Sequence, residues 1–274
     1  MAESLIIEEI DCENGDGVIA KVTINRPDKL NALNQDVVNS LKEMCKWVEE
    51  NDSVRCVVIT GAQPNPPPEG KRAKPNAFVA GADITEFAGK NSQDIKRIFS
   101  DNAIEAIWNL SKPTIAMVDG FALGGGCEVA CSCDIRIASE RAIFGTPEIK
   151  LGLIPGYGGT QRLVHLLGYG RAMEMMMTGN NVNAEEAYRI GLANHLFSSE
   201  SLEEETMAIA QTIATKSMNT LRVAKKTIRA ALDNGLTRGV EIEADAFANL
   251  FDTEDQEIGV QAFLNRSEAK WVHR

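Results

Sequence analysis

The chain has 274 residues, enough for one large domain or for a main domain with a smaller one. Hydrophobic residues make up 44% and charged residues 24%, which is ordinary for a globular protein that buries a substantial core. The net charge of −11 opposes binding to nucleic acid and to anionic membranes, so an anionic ligand would need a local cluster of positive groups.

The N-terminal segment indicates a soluble, cytoplasmic protein. Its sequence, MAESLIIEEIDCENGDG, is acidic and lacks the basic start and the long apolar run of a signal peptide. No stretch of the chain approaches the roughly 18 apolar residues that a membrane-spanning helix needs. We therefore expect neither a membrane nor nucleic acid as a partner.

Four short segments rich in β-branched residues alternate with helical patterns, which predicts an α/β fold. The predicted strands are residues 18–24, 56–60, 114–118 and 134–138. Residues 34–50 place four apolar side chains at helical spacing and predict an amphipathic helix. These side chains are Val37, Leu41, Met44 and Val48.

Helix signals continue toward the C-terminus. Asn183 is followed three residues later by Glu186, which is a helix-start pattern, and Gly191 is a suitable stop. Residues 202–263 contain few glycine turns and are predicted to be helical throughout.

Six cysteines raise the question of a metal site or of disulfides. They are Cys12, Cys45, Cys56, Cys127, Cys131 and Cys133. Without a secretory segment, reduced thiols are expected. The last three are not spaced as C-x-x-C, and the three histidines form no paired ligand motif. We expect no metal, and we expect these last three cysteines to pack as small buried hydrophobic residues.

Two glutamates lie in glycine-rich turns twenty residues apart. Glu128 closes GFALGGGCE (120–128), and Glu148 lies in FGTPEIKLGLIPGYGGTQRL (144–163). The GGG turn is predicted to open a helix, whose first N–H groups lack intrahelical partners and can stabilise a developing oxyanion. A second donor is expected from the AGAD turn (80–83). The competing interpretation is that these glycines only permit close packing of a helix on a strand.

The motifs RPDKLNALN (26–34), AFVAGADI (77–84) and the two glutamate turns together resemble the crotonase (enoyl-CoA hydratase/isomerase) superfamily, and its hydratase branch most closely. The resemblance covers nearly the whole chain. It implies an α/β spiral of repeated ββα units over residues 1–198. It also implies a helical region over residues 199–274 that builds trimers, often paired into hexamers.

The resemblance also implies the site. The backbone N–H groups of Ala82 and Gly125 would form an oxyanion hole for an acyl-CoA thioester, and Glu128 and Glu148 would be catalytic. Gly156 would help to orient the second glutamate and water. The remaining positions that would contact the substrate or its CoA arm are Lys29, Leu30, Ala32, Ala80, Asp83 and Ile84. No cofactor is implied, because coenzyme A is part of the substrate.

Both glutamates are present, which favours reversible addition of water to a short-chain trans-2-enoyl-CoA. Following the family, Glu128 would activate water and Glu148 would exchange the α-proton, with a water shared by both as an alternative. Two carboxylates at close range cannot both ionise freely, so one pKa should rise. The acyl length stays open, and so does the direction, which includes dehydration of 3-hydroxypropionyl-CoA.

Two other functions compete with hydration. A Δ3,Δ2-enoyl-CoA isomerase usually needs one carboxylate. A noncatalytic protein on the same fold, such as an RNA-binding one, is opposed by the two glutamates, by the net charge of −11 and by the absence of a lysine-rich helix.

One segment departs from the family pattern. Residues 62–76 are rich in proline and charge and are predicted to form an exposed loop, longer than the link usual before the AGAD turn. Lys71, Arg72 and Lys74 of this loop could reach the CoA phosphates. The alternative is a solvated surface loop.

Overall fold

The computed structural model describes residues 4–13, 15–100 and 102–274. The first three residues of the acidic N-terminal segment lie outside these ranges. The strands are β1 Leu5–Asp11, β2 Val18–Ile24, β3 Val54–Gly61, β4 Ala77–Val79, β5 Thr114–Val118, β6 Phe121–Leu123, β7 Ile135–Ser139, β8 Ile143–Gly145, β9 Val182–Asn183 and β10 His195–Phe197. The helices are α1 Gln35–Glu50, α2 Ser92–Phe99, α3 Ala103–Asn109, α4 Gly125–Ser132, α5 Gly159–Leu167, α6 Tyr169–Thr178, α7 Ala184–Arg189, α8 Leu202–Ala214, α9 Met218–Asp233, α10 Leu236–Leu250 and α11 Glu254–Asn265.

The strands form two sheets that the chain visits alternately. The larger sheet has the order β1-β2-β3-β5-β7-β10 and the smaller one β4-β6-β8-β9. Three consecutive strand pairs, β3–β4, β5–β6 and β7–β8, each put their first strand in the larger sheet and their second in the smaller one, and each is followed by helix. Neighbouring units pair in parallel. This repetition of ββα units is the predicted spiral.

The elements predicted from the sequence form close to their expected bounds. Strands 18–24 and 114–118 are reproduced, and the other two predicted strands agree within two residues at each end. In α1 the Asn34 side chain accepts a hydrogen bond from the Val37 N–H, so Asn34 caps the helix rather than belonging to it. The four predicted apolar side chains of α1 are buried.

Signals near the C-terminus are also confirmed. Asn183 caps α7 by accepting from the Glu186 N–H, and the helix ends at Arg189, two residues before Gly191. Residues 62–76 contain no regular element and are mostly exposed, as predicted. Four helices, α8 to α11, fill the region after residue 198.

The core has two parts, one on each face of the larger sheet. The bigger part includes Phe78 and Phe144 and packs between the sheets and the helices of the spiral. The smaller part joins the other face of the larger sheet to Leu202, Ala210 and Ala214 of α8. Because α8 packs directly on the spiral, the helical region begins in contact with it, and the boundary at residue 198 stays a prediction.

The cysteines are free thiols. Cys127, Cys131 and Cys133 are buried, as predicted for small hydrophobic residues, and so are Cys45 and Cys56, whereas Cys12 is half-buried. Within the described ranges, no helix is both long enough and apolar enough to cross a bilayer.

Candidate active site

Two backbone N–H groups predicted to bind an oxyanion lie side by side. Leu33 forms a parallel bridge with Ala82. In this bridge the Leu33 N–H donates to the Gly81 carbonyl, and the Asp83 N–H donates to the Leu33 carbonyl. The N–H of Ala82 is therefore directed to the opposite side. There it meets the first turn of α4, since a Cβ built on Gly125 would lie 3.6 Å from the Ala82 nitrogen. Gly125 is the first residue of α4, where N–H groups have no intrahelical partner.

Each of the three positions of the GGG turn is occupied by glycine for a different structural reason. Gly124 has φ +52°, and a Cβ there would lie 2.8 Å from Glu148 Oε1. Gly126 faces β4, where a Cβ would lie 1.9 Å from the Val79 carbonyl oxygen. The interpretation as packing glycines is therefore correct for Gly126, whereas Gly124 makes room for a carboxylate and Gly125 lies beside the Ala82 amide.

Glu128 is held by a turn on the far side of the site. Glu128 itself lies in the first turn of α4 and is buried, with 2% of its surface exposed. Its Oε1 accepts hydrogen bonds from the N–H groups of Tyr157, at 2.7 Å, and Gly159, at 2.8 Å. Gly156, predicted to help orient the second glutamate and water, belongs to the same turn, and the donors to Glu128 are Tyr157 and Gly159. A Cβ on Gly156 would lie 2.3 Å from the Phe99 ring, which stacks on Tyr157.

Glu148 reaches the same place from the smaller sheet. It follows β8 in a 3-10 turn, Pro147–Leu151. The Gly124 N–H donates to the Gly145 carbonyl at the end of β8, which holds this turn against the start of α4. Glu148 Oε2 is buried and has no hydrogen-bond partner among the described residues. A buried carboxylate oxygen without a partner is costly in a purely structural role.

Both glutamates resist ionisation. Burial raises the pKa of Glu128 to about 7, against the two backbone hydrogen bonds, and the negative charge of Glu148 adds to the increase. Burial also raises the pKa of Glu148. Burial contributes more than mutual repulsion, so the expected rise of one pKa extends to both carboxyl groups.

The positions predicted to contact the CoA arm come together at one edge of this site. The Ala80 N–H donates to the Leu30 carbonyl at 3.0 Å, and Leu30 adopts the left-handed conformation that ends the 3-10 turn Pro27–Lys29. Arg26 donates to the Ala32 carbonyl and pairs with the Asp83 carboxylate at 3.2 Å. Two chain segments distant in sequence therefore form one edge.

Ile84 and the basic loop complete the description of that edge. Ile84 is exposed, with half of its surface accessible. Lys74 pairs with Asp28 and donates to its carbonyl, which brings the end of the loop beside Lys29. Lys71 and Arg72 are exposed.

The sequence interpretation missed several residues that hold the site. Arg26 lies within a motif used for the resemblance. Its role was missed because its contacts to the Ala32 carbonyl and to Asp83 form only in the folded protein. Tyr157 and Gly159 lie within IPGYGG, where adjacent glycines indicated close approach of backbone without showing which N–H groups donate. Phe99 had no signal, since it lies in α2, outside the glycine turns.

Comparison with known proteins agrees with this geometry. Residues 14–274 match the enoyl-CoA hydratase/isomerase family. The chain is 40% identical over 253 residues to the short-chain-enoyl-CoA hydratase of Clostridium acetobutylicum, covering 92% of this chain and 93% of the relative. It is 38% identical over 258 residues to the crotonyl-CoA hydratase of Syntrophomonas wolfei, covering 93% and 95%.

A solved structure gives the same result for the fold. The crystal structure of an enoyl-CoA hydratase from Bacillus anthracis superimposes with a TM-score of 0.87 at 33% identity, covering 98% of this chain and 99% of the other. The predicted crotonase fold is therefore confirmed, and the chain belongs to the enoyl-CoA hydratase/isomerase family.

Proposed function

We propose that this protein adds water reversibly to the double bond of a short-chain trans-2-enoyl-CoA and produces a 3-hydroxyacyl-CoA. The observation that carries the proposal is the placement of two carboxyl groups, that of the buried Glu128 and that of the half-buried Glu148, whose Oε2 is itself buried, at the start of α4 near the amides of Ala82 and Gly125. Names of similar proteins, a short-chain-enoyl-CoA hydratase and a crotonyl-CoA hydratase, point to the same substrate class.

In the proposed hydration, the oxygen of water forms a bond to the β-carbon while Glu128 accepts a proton from that water. The electron pair of the double bond moves toward the thioester carbonyl, whose oxygen gains negative charge. The N–H groups of Ala82 and Gly125 stabilise that oxygen, and the loss of one such donor raises the barrier by about 3 kcal/mol where it has been measured in an enzyme. Glu148 then protonates the α-carbon, and dehydration reverses each step.

The protonation states fit this assignment near neutral pH. A pKa of about 7 leaves Glu128 partly ionised there, so it can act as a base in hydration and as an acid in dehydration. The raised pKa of Glu148 increases the fraction that carries the proton needed at the α-carbon. Two carboxyl groups in complementary states are what addition of water requires.

The same observations weigh against the alternatives. An isomerase moves one proton between two carbons and needs one carboxylate, whereas here both carboxyl groups lie at the start of α4. A noncatalytic binding protein gains nothing from burying Glu148 Oε2 without a hydrogen-bond partner in the described part of the chain. Water addition is the reaction that uses both groups.

Several further features belong to the proposal. The segments around Lys29, Leu30, Ala32, Ala80, Asp83 and Ile84 would carry the CoA arm. The reaction would need no cofactor, because coenzyme A arrives with the substrate. The active assembly would be a trimer or a pair of trimers, supported by exposed aromatic side chains on the C-terminal helices. A cytoplasmic location stays a prediction from the sequence.

The direct test is the steady-state hydration of crotonyl-CoA by the purified protein, followed across a series of acyl lengths and with 3-hydroxypropionyl-CoA in the reverse direction. We expect the highest kcat/KM for four-carbon substrates. Absence of hydration with every enoyl-CoA, together with conversion of a Δ3-enoyl-CoA to its Δ2 isomer, would replace the proposal by the isomerase alternative.

A further inference from the structure

Arg162 is a buried arginine outside the predicted site residues. It lies in the first turn of α5 and exposes 9% of its surface. Burial of a guanidinium is costly unless its donors are paired. Nη1 and Nη2 of Arg162 have hydrogen-bond partners, whereas its buried Nε has none among the described residues, so the partners of Nη1 and Nη2 indicate its role.

The inner end of the guanidinium binds the turn that holds Glu128. Arg162 Nη1 donates to the Tyr157 carbonyl at 2.7 Å, and the N–H of Tyr157 donates to Glu128 Oε1 at 2.7 Å. A Cβ on Gly158, which has φ +93°, would lie 2.3 Å from Arg162 Nη1. Only a glycine at that position lets the guanidinium reach back over the start of its own helix.

The outer end of the guanidinium is fixed by α3. Arg162 Nη2 donates to Glu105 Oε1 at 2.5 Å, and its Cζ lies 4.7 Å from the centroid of the Trp108 ring. Arg229 of α9 also lies over this ring, at 4.0 Å, and pairs with Asp134. Arg162 is thus anchored on a helix of the spiral, while the hydrogen bonds found for Arg229 in the described residues go to Trp108 and Asp134 and not to the Glu128 turn.

We propose that Arg162 is a positioning residue for Glu128, which fixes the turn 157–159 so that two N–H groups hold Oε1 and leave Oε2 for the reacting water. The inference rests on the proposed hydratase function and adds a residue to it. A planar guanidinium suits this role because it donates to Tyr157 and Glu105 at once in a fixed geometry, which an ammonium cannot do.

The charge of Arg162 acts on Glu128 in addition to its geometry. It lowers the pKa of Glu128, opposing the increases due to burial and to Glu148. The other titratable side chains near Glu128 are the Tyr157 phenol and the thiols of Cys127 and Cys131. Removal of Arg162 should therefore raise the pKa at which Glu128 ionises.

The test compares Arg162→Met, Arg162→Lys and the matched control Arg229→Met, which removes the other cation over Trp108. For Arg162→Met we expect kcat to fall by about 10- to 100-fold, as for a modest displacement of a catalytic group, with KM changed less than about threefold. The acidic limb of the pH profile of kcat/KM should move to higher pH, because Glu128 must be ionised to accept the proton of water. Arg162→Lys should keep that limb near its parental position but still lose kcat.

Arg229→Met should lose thermal stability with kcat within about threefold of the parent and with the limb unmoved. The inference is overturned if folded Arg162→Met keeps kcat within about twofold and an unmoved limb, or if Arg229→Met loses as much kcat. Should Arg162→Met not fold, Arg162→Lys decides: kcat within about twofold of the parent overturns the inference, and a larger loss supports it.

Failure of the proposed function would be visible separately, because the parent itself would then not hydrate crotonyl-CoA. In that case the pH dependence of unfolding decides the inference. The stability difference between the parent and Glu128→Gln is measured with and without the Arg162→Met change. The difference should begin at the same pH in both backgrounds, near the ordinary pKa of a glutamate, but should keep growing to a higher pH when Arg162 is absent. An upper end of this pH window that does not move contradicts the inference.

Discussion

Gly159 donates a 2.8 Å hydrogen bond to Glu128 Oε1, and the space beside its α-carbon is filled by the same glutamate. A Cβ on Gly159 would lie 2.9 Å from Glu128 Cγ, Glu128 Oε1 and Pro155 Cβ. The N–H that holds the carboxylate can approach it only because residue 159 has no side chain.

We therefore expect Gly159→Ala to displace Glu128. Turnover should fall by about 10- to 100-fold, and unfolding should become about 1–3 kcal/mol easier because the site is overpacked. Gly170→Ala is the control, since no described atom outside the adjoining residues and backbone of its own helix lies within 4 Å of its added Cβ. Steady-state kinetics and urea unfolding of both variants make the comparison, and equal behaviour of the two would contradict the packing argument.

Replacement of either glutamate proposed to be catalytic should remove most of the activity. Glu128→Gln and Glu148→Gln each keep the shape of the side chain but lose its ability to transfer a proton. Turnover of crotonyl-CoA should fall by about two to four decades in each variant, the usual contribution of a positioned acid or base. Circular dichroism would establish that the variants fold, and full activity in either folded variant would refute the assignment of that residue.

The sequence predicted the parts of this site that local patterns encode. The GGG turn indicated a helix start with free N–H groups, and the alternation of strands and helices indicated an α/β fold. The separate reasons for Gly124 and Gly126 could not be predicted, because they depend on the Glu148 carboxylate and on the Val79 carbonyl, which come from other parts of the chain. Nor could the sequence identify the Tyr157 N–H as a donor to Glu128, since glycines show where backbone comes close but not what it approaches.

Stability should depend on pH through Glu128. Its pKa is about 7 in the folded protein and 4.5 ordinarily, so between these values the folded state holds a proton that the unfolded chain has lost. Stability should therefore decrease as pH rises through this window, and the raised pKa of Glu148 acts in the same direction.

Glu128→Gln removes the free-energy cost of ionising Glu128 in the folded state. It keeps an oxygen that can accept hydrogen bonds from the N–H groups of Tyr157 and Gly159. The variant should gain stability relative to the parent as pH rises, up to roughly 3 kcal/mol at pH 8, and should show little of this gain near pH 4. Urea unfolding at both pH values and equal protein concentration measures the difference. A gain that does not change with pH would mean that Glu128 titrates near its ordinary value.

The C-terminal helices should carry the contacts between subunits. Phe247, Phe251 and Phe263 expose 64%, 57% and 84% of their surfaces, and Leu250 is half-buried. Aromatic side chains at this exposure are expected to be covered in an assembly. Light scattering at micromolar concentration should give the mass of a trimer or hexamer, and a stable monomer would contradict the proposal.

Phe263→Asp should lower that mass, because a carboxylate buried between subunits opposes association. Tyr188→Asp is the control, since Tyr188 is also exposed, at 53% of its surface, but lies in α7, outside the C-terminal helices. Dissociation in both variants would mean that the contact is not confined to the C-terminal helices.

Lys71, Arg72 and Lys74 should attract the CoA phosphates, since a chain with a net charge of −11 otherwise repels a polyanionic substrate. Lys74 already pairs with Asp28, which places the loop beside the Lys29 segment and shares part of its charge. Replacement of all three by serine should raise KM several-fold at low salt and leave kcat nearly unchanged, the result of losing uniform binding. The effect should shrink at high ionic strength, because exposed contacts are screened and contribute at most about 1 kcal/mol each.

The control replaces three exposed lysines elsewhere, Lys46, Lys216 and Lys270, and so reaches the same net charge. If both triple variants raise KM equally, the whole-protein charge is responsible, and if neither does, the loop is only surface.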